Sequence, residues 1–281
     1  MLKLIAILLI FLSHVVQTLR GSETGLLTNT DWIVDYTKPG SGLTNLILAI
    51  ISYSGQLGNM IFIICSCWFL LDKTTSNNKK LLRIFLDVFV ISILYLIGIG
   101  SYIGFTNLGI KKIIKCILPN YFGNNWFITC YFVFALITPL VNTVIKSFNK
   151  QVHFIVSLIC LLIYFILGFV VSLNGTICNT LIIWLALYLI ISYLKTYGLK
   201  LCNSYKVNII FITLGFCCLI IMTTLIYFVG CKVSLLNDLT KWNKVNSPFL
   251  LLIGIGLFNI FYKFKFSSKF INYISSLSFL I

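Results

Sequence analysis

Two residues near the start of the chain, Lys3 and His14, combine types and spacing that could do chemistry. His14 is one of only 2 histidines, and it lies in the otherwise apolar run from Leu4 to Val16. An ionisable group among aliphatic side chains loses hydration that hydrocarbon cannot replace, so its default reading is functional. Eleven helical steps bring a residue back to within roughly 20° of the same face, so Lys3 and His14 share one stripe about 16 Å apart along the axis. A neutral imidazole is suited near pH 7 to remove a proton from an incoming hydroxyl. Ser13, Gln17 and Thr18 lie beside His14 at adjacent, i+3 and i+4 positions, a polar patch that needs protein or water around it. The competing reading is a histidine hydrogen-bonded between helices for packing alone. The residues by themselves weigh the two evenly.

Other side chains offer weaker chemistry. Lys79, Lys80 and Arg83 crowd the start of one apolar segment, where a phosphate-rich ligand such as a nucleotide or coenzyme A could be held. On spacing alone, ordinary anchoring at the membrane face is the stronger reading. Asp87, one turn beyond Arg83 and the only acid well inside a predicted span, is expected to pair with it. Asn125, Trp126 and Tyr131 follow a Pro119 to Gly123 stretch and could line a sugar-accepting mouth, although aromatics at that depth are usually belt residues. His153 reads as a solvated boundary residue, and Asn174 to Thr176 as a weak glycosylation sequon.

The elements that must position these residues follow from composition. Of 281 residues, 59% are hydrophobic and 10% charged, and apolar windows of about 20 residues recur along the chain, the mark of a polytopic membrane protein. The net charge of +15 falls mainly in short loops, where it sets orientation and meets anionic lipid, so no nucleic-acid partner is expected. The 10 cysteines lie mostly in apolar runs without a C-x-x-C or a histidine at metal-ligand spacing. They read as small hydrophobes, with one disulfide among Cys116, Cys178 and Cys231 left open, and no metal site is expected. Signatures of soluble enzymes are missing: there is no G-x-S-x-G, P-loop, H-E-x-x-H or dinucleotide fingerprint.

The expected fold is an all-α, integral-membrane helical bundle forming one domain over residues 1–281. Spans are predicted at 3–20, 57–72, 84–105, 125–145, 153–173, 179–195, 207–229 and 248–262. A ninth apolar segment starting near Phe270 is too short to cross, so either the chain is truncated or its last segment only enters the membrane. The first segment is expected to stay in place rather than be cleaved as a signal, because His14 and Gln17 interrupt it and no A-x-A-like site follows. Leu43 to Ser54 reads as an interfacial or re-entrant helix, separated from the second span by a break at Gly55 to Asn59. With the N-terminus inside, 13 of the 21 Lys and Arg fall on the inner side and 8 on the outer, which favours that orientation. No internal repeat is visible, which argues against the repeat architecture of many transporters.

Three segments carry a family resemblance. Lys3 through His14 resembles the R/K-x10-H first helix of acyltransferase family 3, integral-membrane O-acyltransferases that modify surface polysaccharides. Gly58 through Leu70 is similar to that family's second-helix segment, with Cys67 standing where a glycine usually follows the serine. Leu118 through Tyr131, with Pro139 following, resembles its fourth-span segment. The resemblance implies transfer of an acetyl or other acyl group from cytosolic acyl-CoA to a sugar hydroxyl of a cell-envelope polysaccharide or lipid-linked glycan. His14 would be the catalytic base. Lys3, Lys79, Lys80 and Arg83 would contact the donor, and Gln17, Ser66, Asn125, Trp126 and Tyr131 the acceptor. It also implies acetyl-CoA as a donor substrate rather than a resident cofactor, a bacterial plasma membrane as the setting, and membrane lipid as a partner. Two alternatives stay open at this point: a carrier for a glycan or lipid-linked intermediate using His14 as a proton-coupled site, and a truncated, inactive relative.

Overall fold

In the computed structural model, which describes residues 1–18, 35–40, 42–73, 78–104, 108–117, 126–171, 177–198, 204–230, 232 and 238–263, every regular element is a helix. They are α1 (Leu2–Thr18), α2 (Leu43–Leu70), α3 (Asn78–Ile103), α4 (Ile110–Ile117), α5 (Trp126–Lys146) and α6 (Lys150–Cys160). A π-helical turn, Leu161–Leu167, continues α6 into α7 (Gly168–Val171), and α8 (Ile177–Tyr197), α9 (Tyr205–Val229) and α10 (Pro248–Lys263) follow. Six of these segments are long and apolar enough to cross a membrane. Eight full spans were expected; the other two, α1 and α10, are apolar helices of 17 and 16 residues, shorter than the roughly 20 that a span needs. The segment after Phe270, the sequon at Asn174 and Cys231 lie outside the described residues.

The largest departure from the sequence reading is α2. The expected interfacial helix and the second span form one unbroken helix of 28 residues that passes straight through Gly55 and Gly58. No proline interrupts it, and the two glycines serve packing instead of a break. A Cβ on Gly58 would collide with the Ala6 carbonyl oxygen and come within 2.7 Å of Ile10 Cγ1; one on Gly55 would meet Ser13 Oγ at 2.5 Å. Small residues at such positions let two backbones approach closely, the main source of helix association in lipid.

The centre of the bundle is α2, with α1, α5, α8, α9 and α10 packed around it. Met60, Ile61, Ile63, Ile64 and Cys67 are fully buried there. Aromatic rings fill the contact with α5 and α8: Trp184 meets Phe127, Tyr131 and Phe134 at centroid distances of 5.2, 6.4 and 5.7 Å. Gly215 of α9 faces the Phe249 carbonyl and Ile253 of α10, a second close helix pair. The exposed Leu, Ile, Val and Phe side chains of α3, α6 and α9 form the outer apolar surface that lipid would cover.

Contacts along the bundle show α1 antiparallel to α2, so the molecule has a Lys3 side and a Thr18 side. On the Lys3 side, the end of α2 is held by its neighbours. Asn142 of α5 donates to the Leu70 and Lys73 carbonyls at 3.1 and 2.8 Å, and Lys195 of α8 donates to the Trp68 carbonyl at 2.7 Å and to Asp72 at 2.6 Å. A cation and an amide thus satisfy carbonyls that a helix C-terminus leaves open.

His153 is buried, not solvated as the sequence suggested. The Asn149 side chain accepts from the Val152 N–H and starts α6 four residues before His153, so the imidazole already faces α8. Its Nε2 lies 2.7 Å from Ser192 Oγ, and the rings of Phe148, Tyr193 and Tyr197 meet it edge-on. Cys116 is a free thiol.

Candidate active site

The seam between α1 and α2 sets where His14 points. Leu2, Ala6, Ser13 and Val16 are the buried residues of α1, and the close approach at Gly55 and Gly58 fixes its rotation. Ser13 Oγ donates to the Ser52 carbonyl at 3.0 Å, and Ser54 Oγ to the Leu9 carbonyl at 2.9 Å. Gln17 Nε2 donates to Ser13 Oγ at 3.2 Å. The polar patch read from the sequence therefore divides. Ser13 and Gln17 engage the seam, Thr18 bonds back to the Val15 carbonyl, and His14 stands exposed beside Ser13. Among the described residues no hydrogen bond fixes its ring.

At the Lys3 side of the same seam, the Lys3 ammonium lies over the Phe62 ring, 5.5 Å from its centroid. Ser66, one turn further along α2, is buried, and its hydroxyl has no hydrogen-bond partner; Trp184 Nε1 shares that condition. A serine in a helix usually returns its hydroxyl to a preceding carbonyl, so an unpaired Ser66 Oγ is an unmet capacity in the protein interior. Lys79 is exposed. Arg83 is also exposed and pairs with Asp87 at 4.0 Å, as the spacing suggested. The side chain of Lys80 lies outside the described residues.

The Thr18 side is closed by the strap Asp238 to Ser247, which joins α9 to α10. Asn243 Nδ2 donates to the Ser52 carbonyl at 3.1 Å, the oxygen that Ser13 also uses. Asn246 Nδ2 donates at 2.9 Å to the Tyr164 carbonyl, inside the π-helical turn, and Lys244 Nζ donates at 3.0 Å to the Phe169 carbonyl. The strap also pairs with residues 35–40. Leu239 N–H donates to the Thr37 carbonyl at 2.8 Å, and the two partners repeat one local design. In Asp35-Tyr36-Thr37-Lys38 and Asp238-Leu239-Thr240-Lys241, each aspartate accepts from the threonine N–H and hydroxyl two residues on, a local side-chain turn. The Thr37 hydroxyl and the nearby Lys38 hold the Asp35 carboxyl below its usual range.

Tyr131, read as part of a sugar-accepting mouth, is buried edge-on to Trp184. Asn125 and the Trp126 side chain lie outside the described residues. The polar and aromatic residues that do approach the seam near His14 are Trp242 and Asn243, which sequence reasoning missed. Their signal was a tryptophan beside an asparagine between Lys241 and Lys244 in a short loop. That pattern reads equally as interface anchoring.

No curated protein and no solved structure matches the chain. A family model described as an acyltransferase domain matches residues 1–281, the whole chain. With a multispan helical bundle and a seam running from Lys3 to His14 already in place, that match makes the protein a member of acyltransferase family 3, a membrane acyltransferase.

Proposed function

We propose that the protein is an O-acyltransferase that moves an acetyl or other acyl group from acyl-CoA to a sugar hydroxyl of a cell-envelope polysaccharide. The observation that carries this reading is the seam itself: one helix bears a cation at its Lys3 end and an exposed imidazole at its Thr18 end, about 16 Å apart. Lys3, with Lys79, Lys80 and Arg83 on the same side, holds the phosphates of the donor. That side faces the cytosol of a bacterial plasma membrane, in keeping with its excess of basic residues. Gln17 contacts the acceptor beside His14, Ser66 contacts substrate nearer Lys3, and Asn125, Trp126 and Tyr131 belong to the acceptor path.

The chemistry is direct transfer. His14 takes the proton of the acceptor hydroxyl as its oxygen attacks the thioester carbonyl. The new C–O bond forms, the C–S bond breaks, and the coenzyme leaves as a thiolate that recovers the proton from the imidazolium.

The test uses the full chain in proteoliposomes with radiolabelled acetyl-CoA, together with mass spectrometry of the surface glycan from cells with and without the gene. Loss of an acetyl-sized increment in the deletion, and loss of label transfer in His14→Ala, are expected. Full transfer by His14→Ala removes the base role. Acceptor movement across the vesicle without consumption of acyl-CoA replaces the enzyme reading with a carrier.

A further inference from the structure

Between Leu57 and Cys67, every residue of the central helix α2 is buried except Asn59. Two contacts give its depth. The Lys3 ammonium lies over Phe62, one turn from Asn59 towards the Lys3 side. Gly55, one turn the other way, meets Ser13, the chain neighbour of His14. Helical geometry gives its flank. Gly58 faces Ala6. Counted from that contact at about 100° per residue, Asn59 stands about 100° round α2, and Lys3 and His14 stand about 60° and 80° round α1. In an antiparallel pair these rotations lead to the same side of the seam, and the contact of Lys3 with Phe62, itself about 40° round α2, lies on that side. Asn59 is thus placed between the levels of Lys3 and His14, on their flank.

A carboxamide turned towards hydrocarbon would lose hydration with nothing in return, so the opening at Asn59 suits polar atoms. Among the described residues, the hydrogen bond of Asn59 runs from Nδ2 to Gln56 Oε1 at 3.4 Å, longer than the usual range of about 2.7 to 3.2 Å. A side-chain amide nitrogen has two hydrogens, so this bond orients Asn59 and leaves it able to donate again. Ser66 lies two turns further along the same flank, and its buried hydroxyl has no partner. Polar capacity therefore continues from Asn59 towards the Lys3 side.

We propose that Asn59 is a catalytic residue whose amide N–H holds the thioester carbonyl oxygen of the donor, with Gln56 as the positioning residue that aims it. This rests on the acyl-transfer reading. As the acceptor oxygen bonds to the thioester carbon, its proton passes to His14 and the carbonyl electron pair moves onto oxygen. The Asn59 N–H donates to that oxyanion and gives up no proton. When the pair returns, the C–S bond breaks and the leaving thiolate takes the proton from the imidazolium. A hydrogen-bond donor fixed in advance at the developing charge lowers the barrier without reorganisation.

The test records infrared difference spectra of acetyl-CoA, isotope-labelled at the carbonyl carbon, bound to the full chain without acceptor. The carbonyl band is expected at lower frequency than in water, with the shift lost in Asn59→Ala and weakened in Gln56→Ala. S-Ethyl-coenzyme A, which lacks the carbonyl, should bind wild type and Asn59→Ala with the same Kd. In transfer assays Asn59→Ala should lower kcat about 100-fold, with little change in KM for acetyl-CoA. An unshifted carbonyl in the wild type, or a shift kept in Asn59→Ala, overturns the proposal. So does loss of S-ethyl-coenzyme A binding in Asn59→Ala, which would make the residue structural. A wild type that binds neither coenzyme removes the acyl-transfer reading and Asn59 with it. A shift that depends on Asn59, in a protein whose His14→Ala variant still transfers, removes the base role alone and leaves Asn59 in place.

Discussion

Ser13 and Asn243 donate to the same oxygen. The Ser13 hydroxyl and the Asn243 amide reach the Ser52 carbonyl at 3.0 and 3.1 Å, and Asn243 also lies 3.3 Å from Ser52 Oγ. One carbonyl of α2 therefore fixes both the helix that carries His14 and the strap that closes the Thr18 side.

Sharing of this kind predicts coupling. Ser13→Ala and Asn243→Ala should each cost about 0.5 to 1.5 kcal/mol of stability, and the double variant should depart from the sum by about 0.5 kcal/mol or more. Unfolding in detergent measures this, and strict additivity would mean that the strap and α1 are set independently.

Gly58 and Gly55 should both resist alanine. At Gly58 the new Cβ meets the backbone of Ala6, which cannot rotate away, so α1 must lift off α2 at a cost of about 1 to 3 kcal/mol. At Gly55 it meets Ser13 Oγ at 2.5 Å and Ser13 Cβ at 2.7 Å; the hydroxyl can turn aside, but Cβ moves only with its backbone, so α1 must shift here too at a cost of about 1 to 3 kcal/mol. Melting temperature and acyl transfer in membranes should fall in both variants, and wild-type behaviour of either would contradict the packing argument.

The two histidines should separate stability from activity. His153 is fully enclosed and bonded to Ser192, so His153→Ala should lower stability by about 2 to 4 kcal/mol. His14 is exposed, so His14→Ala should change stability by no more than about 0.5 kcal/mol while abolishing transfer. A stable, fully active His153→Ala protein would show that the α6 to α8 contact does not depend on this side chain.

Asp35 supplies a pH test on the Thr18 side. Its folded pKa lies below the ordinary value of 3.8, chiefly because the Thr37 hydroxyl donates to it. The stabilisation is therefore complete above the ordinary value and is lost as pH falls through the lowered one. Its side chain is 38% exposed, so the contribution is below about 1 kcal/mol. Thr37→Val should destabilise the protein at neutral pH, with the difference from wild type shrinking in strong acid. A difference constant with pH would assign the loss to packing.

Much of this architecture can be read in the sequence, because apolar length is a local property. Among the described residues, seven of the eight apolar helices lie close to the spans that hydropathy gives, and α2 starts well before its own. The continuity of α2 was hidden because Gly55 and Gly58 look like a break unless the helix lying against them is known. His153 misled for a related reason: one histidine near a segment end gives no hint that three aromatic rings surround it. Asn142 was silent altogether, since its role depends on where α2 ends in space. At the site, Lys3 and His14 announced themselves by chemical oddity in an apolar run. Trp242 and Asn243 did not, because such residues in a loop are ordinary until the fold brings Asn243 against Ser52.

The π-helical turn of Leu161–Leu167 has a bearing on how this protein can diverge. Its wider hydrogen bonding, with the Gly168 N–H reaching back to the Ile163 carbonyl, accommodates an extra residue within a helix. Deleting a single residue there would rotate everything beyond it by about 100°, carrying the Phe169 carbonyl away from Lys244 and the Phe169 ring away from Trp242. A change of length in this helix would therefore move the strap's contacts while leaving Lys3 and His14 untouched, so one end of the molecule can vary by insertion or deletion without disturbing the seam.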